Sequence, residues 1–351
     1  MCGNNFCCRE DTVMAHFRMH GANPEKLYKN LGIPMPDKIY DFSTNTNALE
    51  WDGEIILDMK KTLCDYPDDE ASDVRALLAK KNNRQEREIL VTNGSNETIY
   101  LLASYQGGKN NAVLEPVYGE YRRALESYHA AVRTINSLNE LTAEDRTIWL
   151  CNPCNPTGSY LSGAELSAVF LKNRDKLFIV DEAYRDFLLG EDRSADFKEF
   201  ENVVVMRSLT KIYHLCGSRI GYVMASETII AMLKLRQPTW SVNSLAQTAA
   251  AAFLHDEEFP AQTRLYYRKE IPRFMGMLLK AGAELLPTSV NFFLMRVGDD
   301  DDFITFMLKR GFVVRHTRNF SGLDGGYVRI AARTPHENDL FVQAVKDYYM
   351  S

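Results

Sequence analysis

Residue types that could do chemistry lie close together after one apolar run of the chain. Residues 203–206 are typical of a buried strand, and Ser208, Thr210 and Lys211 follow, with Arg219 eight residues beyond the lysine. A lysine amine held near neutrality by cationic neighbours can form a Schiff base, while hydroxyls and a guanidinium bind phosphate. Pyridoxal 5′-phosphate carries both an aldehyde and a phosphate, so it fits this stretch. A surface lysine after a strand is the alternative.

Polar turns follow two other apolar runs. Asp181 comes directly after residues 178–180, and a carboxylate there can pair with a protonated ring nitrogen, with Tyr184 in reach of the same ring. Ser95 and Asn96 lie at a strand-to-helix turn, where the free amides of a helix N-terminus bind anions. A helix cap is the alternative for Asp181, and a simple capping turn for Ser95 and Asn96.

Two further candidates could contact a flat ligand. Tyr118 follows a predicted strand and could present its ring face to another ring, although a core tyrosine has the same pattern. Asn155 opens the polar turn Asn-Pro-Thr-Gly after the strand at residues 148–150.

The elements that must position these residues alternate along the chain. Short apolar runs separated by helical segments predict an α/β fold with a mostly parallel sheet, whose ligands bind at the carboxyl ends of the strands. The predicted strands of this sheet are residues 89–92, 111–115, 130–135, 147–150, 177–180, 203–206 and 221–224.

The rest of the chain predicts a second, smaller domain. We expect residues 1–40 to form an N-terminal arm that packs with the small domain. Residues 41–258 would form the large cofactor-binding domain, and residues 259–351 the small C-terminal domain. Predicted helices outside the sheet region are residues 24–31, 55–63, 69–81, 260–281, 302–310 and 336–349, and predicted strands are 39–42, 291–297, 312–315 and 327–332.

Composition excludes several classes of protein. A net charge of −6 without any basic block argues against nucleic-acid binding. No run reaches the ~18 apolar residues of a membrane span, and the first residues lack a signal-peptide core. The seven scattered cysteines suit reduced thiols, so we expect a cytoplasmic protein. Cys2, Cys7 and Cys8 lack a matching histidine cluster, and Cys151 and Cys154 lie in a turn, so we expect neither a metal site nor a redox motif.

Taken together, these motifs resemble fold-type I pyridoxal-phosphate enzymes. The order and spacing are similar to those of the aminotransferase class I/II family, which includes the histidinol-phosphate aminotransferases, from about His20 to the C-terminus. The resemblance implies the PLP-transferase fold type I, with a mostly parallel seven-stranded sheet flanked by helices and a small α+β domain. It also implies pyridoxal 5′-phosphate as the cofactor.

The resemblance assigns a role to each motif. Lys211 would form the Schiff base and move the proton, and Asp181 would keep the pyridine nitrogen protonated. Tyr184 and Asn155 would bind the ring hydroxyl. The remaining cofactor residues would be Tyr118, stacked on the ring, and the phosphate ligands Ser95, Asn96, Ser208, Thr210 and Arg219. Tyr66 resembles the tyrosine lent to the phosphate of a neighbouring subunit, which implies a homodimer with shared active sites.

A finer resemblance concerns the substrate. Motifs around His20, Asn45, Trp240 and Arg329 are similar to those of threonine-phosphate decarboxylases, which act in cobalamin biosynthesis. The substrate residues implied are His20, Gly21, Asn23, Asn45, Asn155, Arg315 and Arg329, with Arg329 on the carboxylate. The run Arg315-His316-Thr317-Arg318 departs from the usual arginine–acid pairing, which predicts added positive charge and a more anionic substrate such as phosphoserine.

The leading hypothesis is therefore a pyridoxal-phosphate-dependent decarboxylase of an O-phospho-amino acid, acting through Lys211. The alternative is an aminotransferase of the histidinol-phosphate or aromatic type. A third interpretation is a non-catalytic binding domain that keeps this fold, but such a scaffold has no need of both Lys211 and Asp181.

Overall fold

The computed structural model of the chain describes residues 23–190 and 197–351. His20 and Gly21, as well as Cys2, Cys7 and Cys8, lie outside the described residues. The chain divides into two compact units. The first contains the described residues up to Asn45, then Glu270–Pro287 and Phe292–Ser351, and the second contains Thr46–Lys269 and Thr288–Asn291. The domain limits expected at residues 40 and 258 stay a prediction.

The strands in chain order are β1 (Tyr40–Asp41), β2 (Ile89–Thr92), β3 (Asn110–Leu114), β4 (Ala131–Ile135), β5 (Thr147–Cys151), β6 (Leu177–Asp181), β7 (Val203–Ser208), β8 (Gly221–Met224), β9 (Phe292–Arg296), β10 (Phe312–Val313), β11 (Arg315–His316) and β12 (Tyr327–Ala331). The α-helices are α1 (Pro24–Leu31), α2 (Met59–Cys64), α3 (Ser72–Lys81), α4 (Gly94–Gln106), α5 (Glu120–Ser127), α6 (Gly163–Lys172), α7 (Leu209–Ile212), α8 (Glu227–Lys234), α9 (Ser244–His255), α10 (Glu258–Lys280), α11 (Asp300–Lys309) and α12 (Pro335–Met350).

The second unit is built on one mixed sheet. Among the described residues, seven strands pair in the order β2-β8-β7-β6-β5-β3-β4. The pairs from β7 through β6, β5 and β3 to β4 are parallel, and β8 alone runs antiparallel to both of its neighbours. All residues of β2, β5 and β8 are buried, as expected for apolar strands covered on both faces.

This topology brings the predicted turns to one edge of the sheet. Strands β2, β5, β6 and β7 point the same way, so the segments that follow them leave the sheet on the same side. Because β8 is reversed, its first residue, Gly221, and the preceding Arg219 also lie at this edge. The carboxyl ends of the parallel strands are therefore where the candidate residues meet.

The first unit combines helices with short strands. β1 pairs in parallel with β10, and β12 pairs antiparallel with β11 and β9. Phe42 is completely buried, and its ring packs against those of Phe274, Phe312 and Phe341 at 4.5–6.2 Å between centroids. An aromatic cluster thus forms the core of this unit.

Several predicted elements begin or end at other residues in the structure, and two of these differences have a clear cause. The helix expected at residues 55–63 begins only at Met59, because the Asp58 carboxylate caps it by accepting from the Lys61 amide at 3.0 Å. The strand expected at residues 312–315 is split, since Phe312–Val313 pairs with β1 whereas Arg315–His316 pairs with β12. Within the part of the chain that the structure describes, none of the helices has the length and apolar character needed to cross a membrane.

The aromatic core of the first unit yields a stability prediction. Phe42→Ala should lower the free energy of unfolding of this unit by about 3–5 kcal/mol, because it leaves a cavity among three other rings. Leu279→Ala, at a half-exposed position of the same unit, is the control and should have a small effect. Urea unfolding followed by circular dichroism would measure both, and equal losses in the two variants would contradict the assignment of Phe42 to the core.

Candidate active site

Asp181 is the buried charge at the centre of the candidate site. It ends β6, and its Oδ1 accepts the Ala183 amide at 2.9 Å while its Oδ2 accepts the Tyr121 hydroxyl at 2.5 Å. Burial raises the pKa of Asp181, and the hydrogen bonds from Tyr121 and Ala183 and the charge of Lys211 oppose that rise. The lone pairs that these two hydrogen bonds leave on Asp181 are suited to bind a cationic group.

Lys211 lies on the one-turn helix α7, directly after β7. Ser208 caps this helix, since its hydroxyl accepts the Thr210 amide at 3.3 Å and lies 2.6 Å from the Thr210 hydroxyl. The Asn47 amide donates to the Lys211 carbonyl at 3.0 Å, and the Asn47 side chain donates to the Ile212 carbonyl at 3.0 Å. The backbone that carries the lysine is therefore held from both ends.

The first turn of α4 and Arg219 form a cradle suited to an anion. Gly94 has φ of +73°, and a Cβ there would lie 2.7 Å from Arg219 Nη2. A Cβ on Gly221 would lie 2.8 Å from the Ser95 backbone nitrogen. Only glycine allows so close an approach, and the result is a helix N-terminus with a guanidinium beside it, which suits a phosphate.

Three further candidates surround Asp181 and the cradle. Tyr118 donates its hydroxyl to Asn96 Oδ1 at 3.3 Å, and burial raises the pKa of Tyr118 to about 12. The charges of Asp181 and Arg219 both act on this phenol, so it is near enough to both groups to feel their charge. Asn155 and Tyr184 are buried in the turns that follow β5 and β6. These residues fit a flat, phosphorylated ring.

The structure places the predicted residues in two sets. Those for the cofactor all belong to the second unit and are Ser95, Asn96, Tyr118, Asn155, Asp181, Tyr184, Ser208, Thr210, Lys211 and Arg219. Tyr66 belongs to the same unit but is 79% exposed. Its ring stacks on that of Trp240, with the ring centroids 4.6 Å apart. Asn23, Asn45, Arg315 and Arg329 belong to the first unit, and Asn23 is exposed there as the residue before α1.

Arg315 and Arg329 form a buried pair on adjacent strands. They are direct partners in the β11–β12 ladder, and both are about 5% exposed. Arg329 donates to the Ser43 carbonyl at 2.6 Å, whereas Arg315 donates to Asn319 Oδ1 at 2.8 Å and contacts His316 Nε2. Like charges directly opposite in a ladder are destabilising, so such a pair favours the binding of an anion.

Arg318 does not add the positive charge expected from the sequence. Its guanidinium bonds both Asp300 oxygens at 2.7 and 2.5 Å and lies 2.6 Å from Asp301. These two carboxylates, at the start of α11, neutralise it. The sequence predicted added positive charge at residues 315–318. This prediction is wrong for Arg318, and within this run Arg315 carries the positive charge.

Sequence reasoning missed a buried ion pair beneath the site. Glu182 Oε2 accepts from Arg207 Nε and Nη2 at 2.8 Å, and Arg207 Nη1 donates to Asn82 Oδ1 at 2.7 Å. Burial is the largest influence on the pKa of Arg207 and would lower it, but Glu182, Tyr222 and Asp186 together outweigh burial and the net shift is upward. Because successive strand residues face opposite sides, this pair ties β6 to β7 behind Asp181 and Ser208. This alternation of side chains along a strand was the sequence signal from which the ion pair could have been predicted.

The contacts of Cys151 and Cys154 disfavour reaction of either thiol. Cys151 donates its thiol to the Pro153 carbonyl at 3.2 Å, and Cys154 donates to the Pro116 carbonyl at 3.2 Å. Burial raises the pKa of both thiols, which disfavours the reactive thiolate. This geometry gives no support to a redox role for the Cys-x-x-Cys spacing.

Comparisons with known proteins agree with this arrangement. The family model for aminotransferase class I and II matches residues 38–345. A threonine-phosphate decarboxylase of Salmonella typhimurium is 30% identical over 353 residues, with 93% of this chain and 96% of that protein covered. A histidinol-phosphate aminotransferase of Geobacillus thermodenitrificans is 30% identical over 297 residues, with 80% and 81% covered.

A solved structure of a related protein is also similar to this chain. The L-threonine-O-3-phosphate decarboxylase from Porphyromonas gingivalis is similar to this chain with a TM-score of 0.80 and 30% identity. The similarity covers 89% of this chain and all of that one.

The ion pair behind the strands yields a testable prediction. Arg207→Met should lower the free energy of unfolding by about 3–5 kcal/mol, because it leaves the Glu182 charge buried and uncompensated. The double variant Arg207→Met, Glu182→Gln should recover part of that loss, since no unpaired charge remains. Chemical denaturation of the wild type, both single variants and the double variant would measure the coupling, and additive losses would contradict an ion pair.

Proposed function

The chain belongs to the aminotransferase class I and II family, and from that premise we propose that it decarboxylates an O-phospho-amino acid. Membership confirms the predicted fold class, PLP-transferase fold type I, and makes the protein a pyridoxal-phosphate-dependent enzyme that acts on a small molecule. The substrate that we favour is L-threonine O-3-phosphate, with phosphoserine as a close variant and cobalamin biosynthesis as the pathway.

The paired arginines carry this proposal. A phospho-amino acid has two anionic groups, a carboxylate and a phosphate, and the first unit presents two buried guanidiniums side by side. We assign the carboxylate to Arg329, whose bidentate fork suits that group, and the phosphate to Arg315. Asn45 is buried in the same unit, and we assign Asn45, Asn23 and Asn155 to the binding of the same substrate. His20 and Gly21 are proposed to act with them.

Each residue of the second unit then has a task toward the cofactor. When bound, pyridoxal phosphate withdraws the electron pair left by a broken bond to the substrate Cα. Asp181 holds the ring nitrogen protonated, and Asn155 and Tyr184 hydrogen-bond the ring hydroxyl. Tyr118 packs on the ring, and the cradle at Gly94 and Arg219 holds the phosphate through Ser95, Asn96, Ser208 and Thr210. Lys211 attaches the cofactor and moves a proton at its Nζ.

The choice between two reactions depends on the angle of the substrate. The residues that hold the substrate would decide which bond to its Cα breaks, and a carboxylate that they turn upright to the cofactor ring would be lost as carbon dioxide. A carboxylate held in the plane leaves the Cα–H bond upright, which leads to transamination. Two anion sites at Arg315 and Arg329 favour the first case, because a phosphate held at Arg315 would fix the far end of the substrate and turn its carboxylate upright. The second candidate is an aminotransferase of the histidinol-phosphate type, which the 30% identity to such an enzyme supports.

The functional test is a substrate panel with identified products. We expect carbon dioxide release from threonine phosphate or serine phosphate, and no release from Lys211→Ala, which should keep the fold because the side chain is only half-buried. Borohydride treatment should fix the cofactor to Lys211 in the wild type, as read by mass spectrometry. Turnover of histidinol phosphate with 2-oxoglutarate and no carbon dioxide would overturn the decarboxylase in favour of the aminotransferase.

The surface around Tyr66 supports a homodimer with shared sites. Helix α2 packs on α9 and exposes Met59 and Leu63, and Leu245 on α9 is also exposed. Tyr66 and Trp240 stack on each other at the surface. Large exposed apolar groups are typical of an interface, and a second copy of this chain would cover them. Tyr66 would then reach the phosphate bound by its partner.

Tyr66→Phe tests this arrangement. Loss of a hydrogen bond to a charged phosphate should weaken cofactor retention by about 1.5–3 kcal/mol, as measured by dialysis of the loaded enzyme. Tyr128→Phe, another exposed tyrosine, is the control and should retain cofactor like the wild type. A mixed dimer of one Tyr66→Phe subunit and one Lys211→Ala subunit should contain one site of wild-type affinity, because that site takes its lysine from the first subunit and its tyrosine from the second. Subunits with self-contained sites would show no such recovery.

A further inference from the structure

Tyr121 makes a contact with Asp181 that the assigned roles leave unused. This tyrosine lies on α5, is completely buried, and donates its hydroxyl to Asp181 Oδ2 at 2.5 Å. Its ring is edge-on to Tyr118, with centroids 6.1 Å apart at 88°, and packs beside Trp149 at 5.8 Å. One side chain therefore contacts both the carboxylate and the ring proposed to stack on the cofactor.

The two hydrogen bonds on Asp181 fix its orientation. Oδ1 accepts from the Ala183 amide in the segment after β6, and Oδ2 accepts from Tyr121 on a separate helix. A carboxylate held at both oxygens by different elements cannot rotate about its Cβ–Cγ bond without breaking one of them. Each oxygen keeps a second lone pair, so Asp181 can still accept the N–H of a ring placed against it.

The phenol also opposes the electrostatic cost of burying Asp181. Burial raises the pKa of Tyr121 far above its usual value, so the phenol stays protonated and remains a donor. The groups whose charge or hydrogen bonding acts on Asp181 are Tyr121, the Ala183 amide, Glu182 and Lys211. The charge of Asp181 in turn acts on the Cys151 thiol and on Tyr118. Tyr121 gives the largest of the opposing contributions, ahead of the Ala183 amide and Lys211.

We propose that Tyr121 is a positioning residue that holds Asp181 in the ionised and oriented form required by a protonated cofactor ring nitrogen. This inference rests on the proposed function, because it takes Asp181 as the partner of that nitrogen. Tyr121 touches neither substrate nor cofactor in this scheme and acts only through Asp181 and Tyr118. A purely structural tyrosine would support the fold without affecting how the site distinguishes a ring nitrogen from a ring carbon.

The test compares two cofactors on the apoenzyme. Pyridoxal phosphate and 1-deazapyridoxal phosphate, in which carbon replaces the ring nitrogen, are bound to wild type and Tyr121→Phe in equilibrium dialysis. We expect the wild type to bind pyridoxal phosphate more tightly than the deaza compound. In Tyr121→Phe the ratio of the two affinities should fall about tenfold, with binding of the deaza compound unchanged. Tyr28→Phe, which removes another buried hydroxyl bonded to the Leu308 carbonyl, should keep the wild-type preference.

A pH series and a double variant complete the design. Loss of the Tyr121 donor should raise the pKa of Asp181 further, so the loss of pyridoxal-phosphate affinity on acidification should begin at a higher pH in Tyr121→Phe. In an Asp181→Asn background, Tyr121→Phe should cause no further change in preference. An unchanged preference and pH series in Tyr121→Phe would overturn the inference while the proposed function stands. A wild type that does not distinguish the two cofactors would overturn both.

Discussion

A carboxylate charge at the end of a buried strand is the constraint around which the second unit is arranged. Asp181 is buried between Cys151 and Met206 on the neighbouring strands, and an ionised group there is costly unless it is hydrogen-bonded. The chain meets this with donors from two different elements and with Lys211 on the short helix that follows the neighbouring strand β7. The same groups that reduce the cost of the charge also direct it, so electrostatic stabilisation and orientation have one structural cause.

The strand ends serve two purposes at once because neighbouring residues face opposite sides of the sheet. Asp181 and Ser208 are directed to the candidate site, and the adjacent Glu182 and Arg207 meet behind it. The ion pair therefore acts on the separation of β6 and β7 at the point where the site needs it. A buried pair of this kind is weak evidence for overall stability, but it is well placed to fix local geometry.

Much of the fold followed from the sequence because apolar runs of strand length alternate with helical segments. That pattern predicted the strands of the large sheet and the meeting of Asp181, Lys211 and the Gly94 turn at one edge. Tyr121 was missed because its partner Asp181 lies 60 residues away in the chain, and periodicity carries no information on that contact. Arg318 was misread for a similar reason, since its charge is cancelled by Asp300, which only the tertiary structure brings near.

The split between β10 and β11 has a consequence for how this region could vary. The chain leaves one pairing at Val313 and enters another at Arg315, so a single residue separates two sheets. Side chains alternate along a strand, and an insertion or deletion at Val314 would turn Arg315 away from Arg329. A change of length at this junction would therefore disturb the pairing of the two arginines, whereas an exchange of side chains would leave that pairing in place.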